Sequence, residues 1–192
     1  MKSFYVAMLG TSLIVCGCRG PGLNNAEAGA ANKIEIALGS GGQYAEVEYH
    51  IPPERVPQAV RDAMNRLHPG AAFDDAEKEI IAGTTYYELT RTVDGRAVEA
   101  MFHADGTLHS EELQVPRNRV PRVVRAAIDS RYPDGEVTSW EEIRDGNREL
   151  NEYHVKVERS GKHYKVILSA EGLVTRILRE VPAEFEVPVS GR

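Results

Sequence analysis

The chain carries one short passage twice: ERVPQAVRDAMNRLHPG at residues 54–70 and NRVPRVVRAAIDSRYPDG at residues 118–135. Laying Arg55-Val56-Pro57 over Arg119-Val120-Pro121 brings Val60 onto Val124, Arg61 onto Arg125, Ala63 onto Ala127 and Pro69 onto Pro133. Downstream the offset grows by two residues. Tyr87 then meets Tyr153, Gly95 meets Gly161, Ala104-Asp105-Gly106 meets Ala170-Glu171-Gly172, and Val115-Pro116 closes on Val181-Pro182. Turn and helix markers that keep their order across a small insertion are the mark of a duplicated unit.

Each copy opens with a helix. Pro57 stands at a helix start, where its missing N–H costs nothing, and Val56, Val60, Ala63, Met64 and Leu67 share one face at helical spacing. His68-Pro69-Gly70 stops that helix. The second copy repeats the stripe with Val120, Val124, Ala127, Ile128 and Arg131, stopped by Tyr132-Pro133-Asp134-Gly135. Strands follow. Thr85 to Val93 and Ala97 to His103 flank the tight-turn dipeptide Asp94-Gly95, and Asp105-Gly106 turns the chain into Leu108 to Val115. Their counterparts are Asn151 to Arg159, His163 to Ser169 and Leu173 to Val181, joined at Ser160-Gly161 and Glu171-Gly172. Glu77 to Ala82 and Glu136 to Ile143 give each sheet its first strand, although Asp75 to Glu79 also has the composition of a short helix. Alternation in Tyr153-His154-Val155-Lys156-Val157 makes one face buried and one wet, as in an antiparallel sheet covered on one side. The expected fold is therefore α+β: two tandem repeats, 54–116 and 117–182, each a helix packed on an antiparallel four-stranded sheet.

Residues 1–18, MKSFYVAMLGTSLIVCGC, have a basic start at Lys2 and an apolar run from Phe4 to Val15, the length of a signal-peptide core and short of the roughly 20 residues of a membrane span. The end of the run, Val15-Cys16-Gly17-Cys18, resembles the bacterial lipobox, and Cys18 fits it better than Cys16 because Gly17 precedes it. That resemblance implies a signal peptide over 1–17, lipidation of Cys18, and anchoring to the membrane through the lipid. Arg19, where an acidic retention signal would sit, favours the outer membrane. Residues 18–32 read as a flexible tether rich in Gly, Ala and Asn. Within 33–53, Lys33 to Leu38 and Tyr44 to Ile51 flank Gly39-Ser40-Gly41-Gly42; they form a hairpin extending one sheet edge, or they are partly disordered. Residues 183–192 are a C-terminal tail.

A helix opening at Val-Pro, a stop at His-Pro or Tyr-Pro, and strands joined by Asp-Gly turns resemble the PepSY-like family, also called β-lactamase-inhibitor-like. The resemblance covers about 54–182 and implies a helix on a curved antiparallel sheet in each copy, a periplasmic or surface location, and binding or inhibition of another protein. The β-lactamase inhibitor itself has disulfides, and here none is possible, because both cysteines lie within the first 18 residues. No inhibitory residue is carried over, since fold analogy alone does not license function.

The chain offers no G-x-S-x-G, HExxH, P-loop or dinucleotide fingerprint, and no cofactor is expected. A net charge of −6 argues against a nucleic-acid partner. Residues 54–116 carry 6 Lys/Arg against 12 Asp/Glu, whereas 117–182 carry 13 against 11. The second helix region concentrates Arg117, Arg119, Arg122 and Arg125, which would meet an acidic protein, an anionic envelope surface or the acidic first copy, or form an ordinary solvated face. His103 and His109 flank the Asp105-Gly106 turn with Glu111 nearby and would hold a divalent metal if they converge. The adjacent carboxylates Asp74-Asp75, Glu111-Glu112 and Glu141-Glu142 point to opposite faces of their strands and read as solvated surface. Tyr86 and Trp140 lack repeat counterparts; on an open sheet face they would anchor a partner. The leading expectation is a non-enzymatic envelope lipoprotein that binds, and in its finer form inhibits, a peptidase or other secreted enzyme. The alternative is a periplasmic sensor of a metal or small ligand.

Overall fold

The computed structural model describes residues 25–70 and 72–184. The expected signal peptide, Cys18 and most of the expected C-terminal tail lie outside the described residues. Among them, ten strands follow one another in chain order through a single antiparallel sheet: β1 (Ile34–Leu38), β2 (Tyr44–His50), β3 (Asp75–Ile81), β4 (Thr84–Val93), β5 (Arg96–Phe102), β6 (Leu108–Gln114), β7 (Glu136–Asp145), β8 (Leu150–Arg159), β9 (Lys162–Ser169) and β10 (Val174–Arg179). A short turn of helix, α1 (Asn25–Ala28), precedes them, α2 (Gln58–Leu67) lies between β2 and β3, and α3 (Arg122–Arg131) lies between β6 and β7. No described helix is long and apolar enough to cross a membrane.

The expectation of a separate four-stranded sheet in each repeat is corrected. The last strand of the first copy pairs with the first strand of the second, from Ser110 opposite Asp145 to Gln114 opposite Glu141. The hairpin β1–β2 likewise adds itself to β3. A strand left at a sheet edge presents a row of unpaired N–H and C=O groups, and continuing the ladder satisfies them. The repeats therefore share one sheet while keeping two cores. In the first, Val56, Val60, Ala63 and Met64 pack on Val47 and Tyr49 of β2, Ala76 of β3, Leu89 of β4, and Ala100 and Phe102 of β5. In the second, Val120, Val124, Ile128 and Tyr132 pack on Trp140 of β7, Tyr153, Val155 and Val157 of β8, and Val166 and Leu168 of β9. The footprint of α2 thus reaches onto the N-terminal hairpin, which the repeat boundary at residue 54 left out.

The same local devices recur in both copies. Each helix starts after a proline, Pro57 or Pro121, with no side-chain cap. The equivalent arginines fold back beneath it instead: Arg61 donates to the Val56 carbonyl at 2.8 Å and Arg125 to the Val120 carbonyl at 3.1 Å. Asp94-Gly95 and Ser160-Gly161 all have positive φ, the backbone of a type I′ hairpin turn. Gly106 and Gly172 sit where a Cβ would fall 2.6 Å from the Ala59 carbonyl oxygen and 2.8 Å from that of Val123, so each turn lies directly on the first turn of its helix. The copies differ at the helix end. Arg131, expected in the second apolar stripe, is exposed, and Tyr132 fills the place, its ring 5.6 Å from Tyr164. In the first copy Arg91 of β4, 3% exposed, donates to Asn65 Oδ1 at 2.9 Å, to the Ala72 carbonyl at 3.1 Å and to the His68 carbonyl, and its guanidinium covers Phe73.

Within the stretch 18–32 expected to be a tether, Asn25–Ala28 form α1 and dock on the first core. Ala28 is buried in the first core, and Glu27 pairs with Arg55 at 2.9 Å and Lys78 at 2.8 Å.

Candidate functional site

Both helices cover the same face of the sheet, which leaves the other to the alternate residues of every strand. Strand alternation sends Glu46, Glu48 and His50 of β2 to this helix-free face, with Asp75, Glu77 and Glu79 of β3, Tyr86 and Glu88 of β4, and Glu99 of β5. Glu112 of β6, Glu141 of β7, His154 and Lys156 of β8, and Lys165 of β9 continue it. Several of these side chains are buried although no helix lies over them: Glu79 is 3% exposed, Glu141 5% and Ile167 2%. The sheet curls around its own helix-free face. Lys165 of β9 accordingly feels the charges of Glu46 and Glu48, far away in strand order on β2.

Burial and mutual repulsion set the protonation of this surface. Burial first, then the charges of Glu46 and Glu77, push Glu48 up to about 8. Burial, then Glu48 and Glu46, push Glu79 up to about 10. Glu88 is raised well above the ordinary range by burial and by Glu79, Glu99 and Glu112. Glu99 and Glu141 are both lifted to about 7, by burial and then by Glu112. Glu112 goes the other way: burial would raise it, but His154 beside it and Lys165 hold it low. Acidic and basic ends follow, with carboxyls from β2 to β7 and Lys156 and Lys165 on β8 and β9. A cavity of about 270 Å³ opens on this face among Glu99, Glu112, Ser139, Glu141 and Lys156. At the other side of the acidic region, His50 reaches Asp75 through Nδ1 at 2.8 Å and Glu77 through Nε2 at 3.2 Å.

The residues singled out from sequence are scattered over this frame. Tyr86 is half-buried on the helix-free face, its ring 4.5 Å from His109 and 5.0 Å from His103. Trp140 is 6% exposed in the second core, on the helix side. The two expected anchors therefore occupy opposite faces, and Trp140 offers nothing to a partner. The expected metal pair is brought together, but without its carboxylate. His103 and His109 stack with Tyr86, while Glu111, the carboxylate expected to join them, points to the helix side, fully buried between His68 and Arg148. Of the arginines, Arg119 and Arg122 are exposed, and Arg119 lines a cleft of about 360 Å³ with His68, Arg96 and Arg144 where the repeats meet. Arg125 is half-buried beneath its own helix and matches Arg61, so its role is structural.

What the sequence reading missed was the carboxyl face itself. It tested neighbouring acids, which point apart, whereas the informative spacing was i, i+2: Glu46-x-Glu48-x-His50 and Asp75-x-Glu77-x-Glu79.

Compared with known proteins, residues 24–108 and again 85–176 match the family described as "Putative beta-lactamase-inhibitor-like, PepSY-like". The chain belongs to the PepSY-like family. The first PepSY-like match begins ahead of β1, in keeping with a first core built partly on the N-terminal hairpin. Among solved structures, the chain is similar to one of the "putative periplasmic proteins" of Bacteroides eggerthii, at 18% identity and a TM-score of 0.53, covering 65% of this chain and 88% of that one. A DUF2874 family protein of Bacteroides uniformis is 17% identical with a TM-score of 0.51, covering 64% and 88%. Both share the PepSY-like fold. No curated protein matches.

Proposed function

We propose that this PepSY-like chain is a non-catalytic binding module of the bacterial cell envelope, and that its curled, carboxyl-lined face receives a basic segment of an envelope or secreted protein. The observation that carries this reading is the collection of acidic side chains from β2 to β7 on one helix-free face, flanked by Lys33 at one end and Lys156 and Lys165 at the other. Carboxyls that crowding keeps protonated give up their protons to an approaching cation, so a basic segment would create the complementary charge as it seats, and an acidic one would not. The family description as inhibitor-like and the periplasmic description of the Bacteroides relative support export and protein binding. Anchoring through a lipid on Cys18 is part of the proposal, and Cys18→Ser should release the protein from the membrane fraction and change its mature mass.

The test is carboxyl-to-amine cross-linking in intact envelopes, read by mass spectrometry. The expected result is repeated linkage of Glu46, Glu48, Glu77 or Glu99 to lysines of one protein, lost in a Glu48→Lys/Glu99→Lys double variant that keeps its fold. Linkage confined to the helix side, or unchanged by the double variant, would overturn the reading. Inhibition of a peptidase or other secreted enzyme is the finer form, checked by adding the purified protein to the captured partner and measuring turnover.

A further inference from the structure

Among the described residues, four groups of three His, Asp or Glu side chains on the helix-free face bring donor atoms together, and one of them has two buried atoms outside any hydrogen bond. Glu112, Glu141 and His154, on the adjacent strands β6, β7 and β8, each bring a donor atom to within 4.8 Å of the other two. The three positions are neighbours in the ladder, His154 directly opposite Glu141 and the Glu112 strand beside it. His154 Nδ1 and Glu141 Oε2 are both buried, and neither makes a hydrogen bond among the described residues. Burying a polar atom without a hydrogen bond costs on the order of 1–3 kcal/mol; Glu141 Oε2 has none and His154 Nδ1 has only a long contact with Glu112, so one occupant shared by all three would satisfy both.

The remaining atoms of the same side chains are already held. His154 Nε2 lies 3.1 Å from Glu152 Oε1. A carboxylate only accepts, so Nε2 carries a hydrogen, and a metal would displace the second proton, which otherwise links Nδ1 to Glu112, and take the Nδ1 lone pair so freed. An imidazole held through its second nitrogen by a carboxylate is the usual support of a metal-bound histidine. Lys156 Nζ takes Glu141 Oε1 at 3.1 Å, which leaves Oε2 free to turn inward. His154 Nδ1 stands 3.4 Å from Glu112 Oε2. Two ligands at metal–ligand distances of about 2.1 Å in a tetrahedron are about 3.4 Å apart, so this pair already has the spacing of one coordination edge. The cavity of about 270 Å³ touching Glu112 and Glu141 leaves room for a water as fourth ligand.

We infer that Glu112, Glu141 and His154 form a binding site for a divalent transition metal of the zinc class, supported by Glu152 and Lys156. The nitrogen donor selects against calcium and magnesium, which prefer all-oxygen shells. This site is separate from the His103/His109 pair. It does not depend on the protein-binding reading, because its ligands can be tested with metal alone.

The experiment titrates zinc chloride into the full chain by calorimetry and follows cobalt(II) binding by its visible absorption, with calcium as control. The expected result is one zinc per chain, a tetrahedral cobalt spectrum, a loss of at least about 10-fold in affinity for His154→Gln, and about 10-fold for Glu152→Gln. His103→Ala should bind as wild type. Zinc affinity unchanged in His154→Gln, affinity lost in His103→Ala instead, or calcium bound more tightly than zinc would overturn the assignment. If His154→Gln fails to fold, nitrogen NMR of the wild-type chain decides. Zinc must shift His154 Nδ1, and an unshifted Nδ1 means that the imidazole is merely a protonated bridge between Glu112 and Glu152.

Discussion

Glu48 and Glu79 stand directly opposite each other on β2 and β3, two carboxyls on the face that no helix covers. Glu46 and Glu77 crowd both, Glu35 adds to Glu48, and Lys165 is the one opposing charge among the groups acting most strongly on them. In the native state they keep their protons to about pH 8 and 10, whereas in an unfolded chain they release them near about pH 4.3. Between those limits the folded chain binds more protons than the unfolded one, so stability falls as pH rises. Glu27, lowered by Lys78 and Arg55, works the other way, but its contribution is complete above the ordinary carboxylate range. A higher Tm is expected at about pH 5.5 than at about pH 8.5. Glu79→Gln should flatten that slope and raise the Tm at the alkaline end by about 2–4 °C. A scanning-calorimetry series across pH checks both.

Glu111 should matter more than either residue that holds it. It is fully buried, whereas the side chain of Arg148 is half exposed and can return to water. Glu111→Ala is expected to cost about 2–3 kcal/mol in urea unfolding. Arg148→Ala should cost under about 1 kcal/mol, as an exposed pair does.

Two turn glycines should respond very differently to one added methyl group. At Gly95 a Cβ meets nothing within 4 Å, so Gly95→Ala should lose only about 1 kcal/mol for its left-handed backbone. At Gly106 the same change drives a Cβ into the Ala59 carbonyl at 2.6 Å as well, and roughly 3 kcal/mol is expected. Gly172→Ala should behave like Gly106→Ala, since it meets Val123 in the same way. Thermal unfolding of the three variants settles the order.

Trp140 and Tyr86 separate stability from recognition. Trp140→Ala empties part of the second core and should cost about 3–5 kcal/mol, and the wild-type indole should emit at the short wavelengths of a dry site. Tyr86→Ala removes a half-exposed ring and should leave the Tm within about 2 °C. Any loss of partner binding in Tyr86→Ala is then a surface effect.

The repeat, both helices and the Asp-Gly and Ser-Gly hairpins were legible because each rests on local chemistry: Val60 and Val124 at helical spacing, or Gly95 and Gly161 at positive φ. The joining of the copies was not. Whether Gln114 pairs with Glu141 or faces water is a choice between equally extended strands, and strand propensity does not distinguish them. Which face Trp140 takes was left open for a related reason. A bulge between Val137 and Ser139 changes which face the following residues take, and alternation counted along the strand does not anticipate it. The carboxyl site was hidden because its members come from separate strands, and only the curl of the sheet brings Lys165 toward Glu48.

The docking of Ala28 would set how far a lipid-anchored form of this molecule could travel. With the lipid on Cys18 as proposed, six residues lie between the anchor and α1, a reach of at most roughly 24 Å. The folded part would then patrol only a thin layer next to the bilayer, so its target would have to be embedded there, or come within about one protein diameter of the lipid.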